Sequence, residues 1–332
     1  MVPSMTYDEF MSLWLDDSDT VLCHTSGSTG IPKPIALSKD DMRASAHVTN
    51  AFFGITTRST ISVPLPFDYI AARMMAVRAY EAGCRIVTPE PSNAPDFFGE
   101  AGYLDLLAIV PSQVEALVAV PDAGQRVRNV IVGGAPLSDA RRQMLTHAGI
   151  HGYITYGMTE TCSHIALADI ADDSGTFHAI ARNTRFATNA RGCLTAEIPH
   201  LSIRRVVTND IVSIVSPTEF RWQGRADNII NSAGLKICPE ELEHALASLL
   251  PDGLTFYIVG VPDTQWGSAV AIVFEGTADL IPTVRNAIAH INDRRQRPRY
   301  IYAEARLRRT ASGKITGFGC RPRQSSARGR RP

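Results

Sequence analysis

Between His24 and Ser38 the chain reads HTSGSTGIPKPIALS, and nine of these fifteen residues are Gly, Pro, Ser or Thr. A stretch of this kind can cradle an anion. Gly27 and Gly30 let the backbone fold back so that successive N–H groups turn inward, Thr25, Ser26, Ser28 and Thr29 add hydroxyl donors, and Lys33 adds a positive charge. A phosphate-bearing ligand suits that combination. The spacing excludes the Walker loop of kinases and GTPases, because G-x-x-x-x-G-K-[ST] starting at Gly27 needs Gly, Lys and Ser or Thr at 32 to 34, where the chain has Pro32, Lys33 and Pro34. Taken alone, the run serves equally well as a solvated turn, so the surrounding chain must decide.

The elements needed to position such a loop are legible. Short apolar runs (DTVLCH, STISVPLP, CRIVTP, LLAIV, VRNVIVGG, GYITYG) alternate with helix-like stretches, which predicts an α/β fold with buried strands. The helix after the loop should begin at the Ser38 cap and stop at Gly54, and another should begin at Ser138. From about 184 to 222 the pattern turns β-like, predicting a smaller sheet beside the first. A compact α+β unit then follows, with a helix from Pro239, strands at TFYIVGV and AVAIVFEG, a helix near 283–292 and a strand near 300–307.

At 332 residues, 45% hydrophobic, with 33 basic and 33 acidic side chains, the chain has the composition of a globular protein with room for two domains. No apolar run reaches membrane-spanning length and the start lacks a signal-peptide pattern, so a cytoplasmic location is expected. Six cysteines without a C-x-x-C pair indicate neither a zinc knuckle nor a disulfide framework. Residues 288–332 carry thirteen Lys or Arg against Asp293 and Glu304 only. The end of the chain reads as a basic tail over 317–332, solvated rather than nucleic-acid binding, and is expected to be disordered.

Six punctuated stretches occur in order: TSGSTGIPKPI, GGAPL (Gly133–Leu137), YGMTET (Tyr156–Thr161), TND (Thr208–Asp210), GRADNIINSAGLKICPEELE (Gly224–Glu243) and RTASGKI (Arg309–Ile315). The ordered set resembles the adenylate-forming superfamily of acyl-CoA synthetases, adenylation domains and luciferases, from about residue 20 to 316. That resemblance implies a large adenylate-forming domain over 1–226, shortened at its N-terminus and built of layered α/β sheets with a small β subdomain. It also implies a small mobile α+β domain over 227–316, with the hinge at Asp227. The implied chemistry joins ATP and a carboxylic acid to give an acyl-adenylate and pyrophosphate, then transfers the acyl group to a thiol, usually that of coenzyme A.

The resemblance also assigns roles. The loop from Thr25 to Gly30 with Lys33 would hold the phosphates that leave as pyrophosphate. Glu160 would hold Mg2+, and Thr159 would donate to the α-phosphate. Tyr156 and Gly157, with the backbone of Gly133, Gly134, Ala135 and Pro136, would line the adenine pocket. Asp210 would take the ribose hydroxyls, with Arg225 beside it. Lys314 would reach between the attacking carboxylate and the α-phosphate, offsetting the repulsion of two anions. After adenylation the small domain would turn about Asp227 and bring Ser232, Gly234 and Lys236 to the thioester step. One departure stands at Ala233, where the family has glycine: a position of positive φ makes a methyl awkward.

PFDYIAARMMAVRA, YGMTETCSHIAL and INSAGLKICPEELE resemble in particular a group of compact bacterial ligases of the o-succinylbenzoate-CoA ligase type, from menaquinone biosynthesis, which share the short start. The chain is thus expected to be a naturally short enzyme. An aromatic acid would meet Phe67, Met74 and Met75, and its second carboxylate would meet Arg73, Ser163 and His164. Two further readings fit the same motifs: a ligase for another aryl or short-chain acid, and an adenylation enzyme that loads a carrier protein.

Overall fold

The computed structural model describes residues 4–24, 33–251 and 253–308. The chain divides into two compact units. The first comprises the residues up to Ala187, with Thr195–Val207 and Ile214–Arg221. The second comprises Thr188–Leu194, Thr208–Ser213 and the described residues from Trp222 onward.

The helices of the first unit are α1 (Tyr7–Trp14), α2 (Lys39–Phe53), α3 (Ile70–Ala82), the short α4 (Val114–Val118) and α5 (Ala123–Arg126), and α6 (Asp139–His147). Its leading strands form an antiparallel hairpin of β1 (Thr20–His24) and β2 (Pro34–Ser38). Then come β3 (Thr60–Ser62), β4 (Arg85–Val87), β5 (Leu106–Ile109), β6 (Val130–Val132), β7 (Gly152–Met158), β8 (Ser163–Asp169) and β9 (Thr176–Ala179). They are followed by β10 (Arg185–Thr188), β11 (Cys193–Ile198), β12 (Arg204–Ser216) and β13 (Glu219–Arg225). The sheet order is β10-β11-β12-β13-β9-β8-β7-β6-β5-β3-β4. The β-rich stretch therefore does not form a sheet of its own: β13 pairs antiparallel with β9, Phe220 opposite Phe177, and extends the main sheet.

Strands β4, β3, β5, β6 and β7 run parallel, and the helices between them cover both faces. This explains why Leu106–Ile109 is buried throughout rather than alternating. Leu106 and Ala108 face a core with Phe10, Trp14, Met42, Met74 and Met75. Leu107 and Ile109 face the opposite core with Val114, Leu117, Ala123 and Leu145. Helix α2 begins where Ser38 accepts from the N–H groups of Asp40 and Asp41, and it ends at Gly54 with φ of 64°. Ser138 caps α6 in the same way through Arg141 N–H.

In the second unit a hairpin of β14 (Ile230–Ser232) and β15 (Leu235–Ile237) precedes α7 (Pro239–Ala247). A three-stranded sheet follows, with β16 (Phe256–Asp263) antiparallel to β17 (Gly267–Glu275) and β17 parallel to β18 (Tyr300–Glu304). Helix α8 (Ile281–Ala289) makes the crossover to β18. Leu242 and Leu246 of α7 and Val284 and Ile288 of α8 pack on Ile258, Val270, Ile272 and Ile301, giving this unit its own core. Among the described residues no helix is long and apolar enough to cross a membrane.

Candidate active site

Because β3, β5, β6 and β7 are parallel neighbours, the segments that leave their C-terminal ends collect at one edge of the sheet, where open α/β folds bind ligands. Gly133–Pro136 leaves β6, and Tyr156–Glu160 closes β7. Gly134 adopts φ of 83°, and a Cβ on Gly133 would stand 2.5 Å from Thr155 Oγ1. A side chain at 133 would require Thr155 to move, and one at 134 would be strained by the positive φ. Tyr156 lies edge-on to Phe220, with ring centres 5.0 Å apart, and to Phe177 at 5.7 Å. Phe177 stacks on Phe220 at 5.3 Å, so the Tyr156 ring is held by an aromatic cluster.

The next residues form the tight end of the β7–β8 hairpin. A Cβ on Gly157 would lie 2.0 Å from the backbone oxygen of Ser163, at the point where the register of the two strands shifts. Thr159–Thr161 forms a 3-10 turn, and Cys162 takes φ of 59°. Thr161 Oγ1 accepts from Met158 N–H at 3.0 Å. The turn buries Thr159 and leaves Glu160 half-buried, its carboxylate available. Burial pushes the Cys162 thiol up to about 12, so it stays protonated and unreactive.

Hairpin β1–β2 pairs His24 with Pro34, which brings the two ends of the phosphate-type loop side by side, and β2 lies next to the Thr159–Thr161 turn. Lys33 is exposed at the end of that loop. Thr25, Ser26, Gly27, Ser28, Thr29 and Gly30 lie outside the described residues, as does Lys314.

The acid side differs from expectation. Phe67 is buried against Tyr7 and Phe10, with ring centres at 5.7 and 6.1 Å, and belongs to the core. Met74 and Met75 are core residues as well. Arg73 is buried on α3 and donates from Nε to Phe67 O at 2.6 Å and from Nη1 to Leu22 O at 2.7 Å, with its guanidinium over the Phe10 ring. It also donates to Cys23 Sγ at 3.3 Å and to Met5 Sδ at 3.5 Å. The geometry gives Arg73 a structural task in place of an acid-binding one.

The cation that does meet Ser163 is Arg78, five residues further along α3, which donates from Nη2 to Ser163 Oγ at 2.9 Å. Arg78 is 1% exposed, its Nε–H has no acceptor, and among the described residues no carboxylate pairs with it. Burial lowers its pKa to about 9. His164 and Thr49 complete this cluster: His164 Nδ1 is 3.4 Å from Ser163 Oγ, and Nε2 is 3.1 Å from Thr49 Oγ1. Burial first, and the Arg78 charge second, hold the imidazole well below its usual range, so it is neutral. Sequence reading missed Arg78. The available signal was that α3 is apolar on nearly every side, from Ala72 to Ala79, so both of its arginines had to be buried.

In the second unit, Asp210 is nearly buried, its carboxylate accepts from Arg225 Nη1 at 3.2 Å, and its own N–H donates to Thr208 Oγ1 at 3.0 Å. Arg225 also donates from Nη2 to Asp227 at 3.3 Å, and Asn209 donates to the same carboxylate oxygen at 3.2 Å. The expected ribose pair and the expected hinge residue are thus one linked group. In the β14–β15 hairpin Ser232 is buried and Lys236 exposed, and the connecting pair Ala233-Gly234 has φ of 50° and 83°. Both turn positions are left-handed, as a type I′ two-residue hairpin loop requires.

Among the described residues no three His, Cys, Asp or Glu side chains gather into a metal cage. Glu160 alone suits Mg2+, which takes one or two carboxylates and fills its octahedron with phosphate oxygens and water.

Residues 10–187 match the family model described as AMP-binding enzyme. The chain is 23% identical over 346 aligned residues to a 2-succinylbenzoate–CoA ligase of Enterococcus faecalis, with 94% of this chain and 71% of that one covered. Among solved structures it is 30% identical to an acyl-CoA synthetase (AMP-forming)/AMP-acid ligase II-like protein of Dyadobacter fermentans, covering 95% and 94% of the two chains with a TM-score of 0.62. It shares its fold with o-succinylbenzoate CoA synthetase of Bacillus subtilis, solved with an acyl-adenylate intermediate, at 19% identity and a TM-score of 0.75, covering 89% and 67%.

Proposed function

The chain belongs to the AMP-binding enzyme family, and from that premise we propose that this AMP-forming acid–CoA ligase activates o-succinylbenzoate, an aromatic acid with a second carboxylate, in the cytoplasm. The carrying observation is Arg78, a buried cation with an open Nε–H, bonded to Ser163 at the start of β8. A buried guanidinium without a counter-ion is costly, and a ligand carboxylate supplies the partner it lacks. The acid's second carboxylate therefore binds at Arg78, as a buried ion pair beside Ser163.

The other roles are carried by the family resemblance and by the chemistry of each residue. Lys33 and the Thr25–Gly30 loop restrain the two phosphates that leave, and Thr159 donates to the α-phosphate. Glu160 holds Mg2+, which offsets the charge on the phosphates. Tyr156 offers its ring to adenine, lined by the backbone of Gly133–Pro136 and Gly157. Asp210 accepts from the ribose hydroxyls and is oriented by Arg225. Lys314 stabilises the attacking carboxylate against the α-phosphate. Ser232, Gly234 and Lys236 serve the thiol of CoA in the second step.

The test is pyrophosphate release from Mg-ATP with o-succinylbenzoate, benzoate, other aryl acids and short fatty acids, each with and without CoA. Release confined to o-succinylbenzoate, with a CoA thioester formed, is the expected result. Equal release with benzoate removes the second carboxylate from the reading, and release without any CoA thioester removes CoA as acceptor.

A further inference from the structure

Resting on the reading above, we propose that His164 and Thr49 are positioning residues for the acid's second carboxylate, acting through a one-way hydrogen-bond chain that leaves Ser163 an acceptor for Arg78. Arg78 has only donors, so Ser163 Oγ must accept from its Nη2. The single hydroxyl proton of Ser163 then needs another acceptor, and His164 Nδ1, 3.4 Å away, is placed for it. A neutral imidazole that accepts at Nδ1 carries its proton on Nε2, which donates to Thr49 Oγ1 at 3.1 Å. Thr49 passes its own proton to Ser45 O one turn back in α2, at 3.2 Å.

Every link points away from the guanidinium, and the nitrogen nearer Ser163 carries a lone pair rather than a proton, the arrangement the Arg78 charge favours. The chain spans three elements: α3 through Arg78, the start of β8 through Ser163 and His164, and α2 through Thr49. Beside it, Asn50 of α2 donates to the backbone oxygen of Arg78 at 2.9 Å. The guanidinium is therefore held at Nη2 by Ser163, with Nη1 on Met75 Sδ at 3.5 Å, while its Nε–H stays open. Without His164 the Ser163 hydroxyl can turn its proton toward Arg78, and that anchor is lost.

Three substitutions test this. His164→Phe keeps the ring and removes both nitrogens, Thr49→Val removes only the hydroxyl, and His164→Asn restores an acceptor where Nδ1 stood. The first two are expected to raise KM for o-succinylbenzoate about tenfold, the loss of one hydrogen bond to a charged group, with KM for ATP and turnover of benzoate unchanged. His164→Asn should recover most of that loss. Nitrogen NMR of the wild-type imidazole should find Nε2 protonated and Nδ1 bare. A protonated Nδ1, or a KM rise shared equally by both acids, overturns the proposal. Wild-type enzyme that does not distinguish the two acids overturns the substrate reading itself. Wild-type enzyme that distinguishes them, with variants that do so equally well, overturns only the role of His164 and Thr49.

Discussion

Arg73 and Arg78 lie on one helix, both buried, and only their partners tell them apart. Arg73 gives protons to two backbone carbonyls and to the sulfurs of Cys23 and Met5, whereas Arg78 gives one to Ser163 Oγ and one to Met75 Sδ and keeps its Nε–H open. The two should respond differently to the same change. Arg78→Met should raise KM for o-succinylbenzoate roughly 100-fold, at about 1.4 kcal/mol per tenfold, with little effect on KM for ATP. Arg73→Met should leave both constants alone and lower the melting temperature, because each orphaned carbonyl costs about 1–3 kcal/mol. Steady-state kinetics with a thermal melt separate them. Reversed effects would return the acid site to Arg73.

Two hairpins carry strain or close approach that can be read as stability. In β7–β8, Gly157 faces backbone rather than a yielding side chain, so Gly157→Ala must push the strands apart next to the Thr159–Glu160 turn. The expected cost is about 3 kcal/mol, together with loss of pyrophosphate release, measured by chemical denaturation and the coupled assay. In β14–β15, Ala233 holds φ of 50° while its N–H donates to Trp266 O at 3.0 Å. An L-residue in this region costs about 1–2 kcal/mol, part of which glycine gives back as unfolded-chain entropy. Ala233→Gly should therefore stabilise the second unit by about 0.5–1 kcal/mol and leave adenylation untouched. A fall in stability would show that the alanine methyl has a packing role.

At the scale of the whole molecule, two units with separate cores should not unfold as one. Calorimetry should resolve two transitions, and one carboxyl should mark which belongs to the second unit. Glu243 of α7 is half-buried, accepts from Ile258 N–H at 2.7 Å, and has its pKa raised to about 8, chiefly by desolvation of its carboxylate. Unfolded, it titrates near 4.5, so between those values the native state holds the extra proton and stability falls as pH rises. The second-unit transition should drop from pH 5 to pH 9, and Glu243→Gln should flatten that slope while leaving the other transition in place. An unchanged slope would mean that Glu243 is ionised in the native state.

Much of this protein is local and therefore legible in the chain. Caps at Ser38 and Ser138, the stop at Gly54 and the proline start of α7 act within a few residues, so their positions follow from sequence. The motif glycines are equally local in origin: a Cβ at 133 would meet Thr155 Oγ1, Gly134 has a positive φ, and a Cβ at 157 would meet the Ser163 backbone. What the sequence could not assign was partnership across distance. Whether Phe67 lines a pocket or fills a core depends on α1, some sixty residues earlier, and whether Arg73 or Arg78 meets Ser163 depends on how α3 is turned against β8. A helix apolar on nearly every side has no polar stripe to report its orientation, so only the packing of α3 against its neighbours decides which arginine faces the acid.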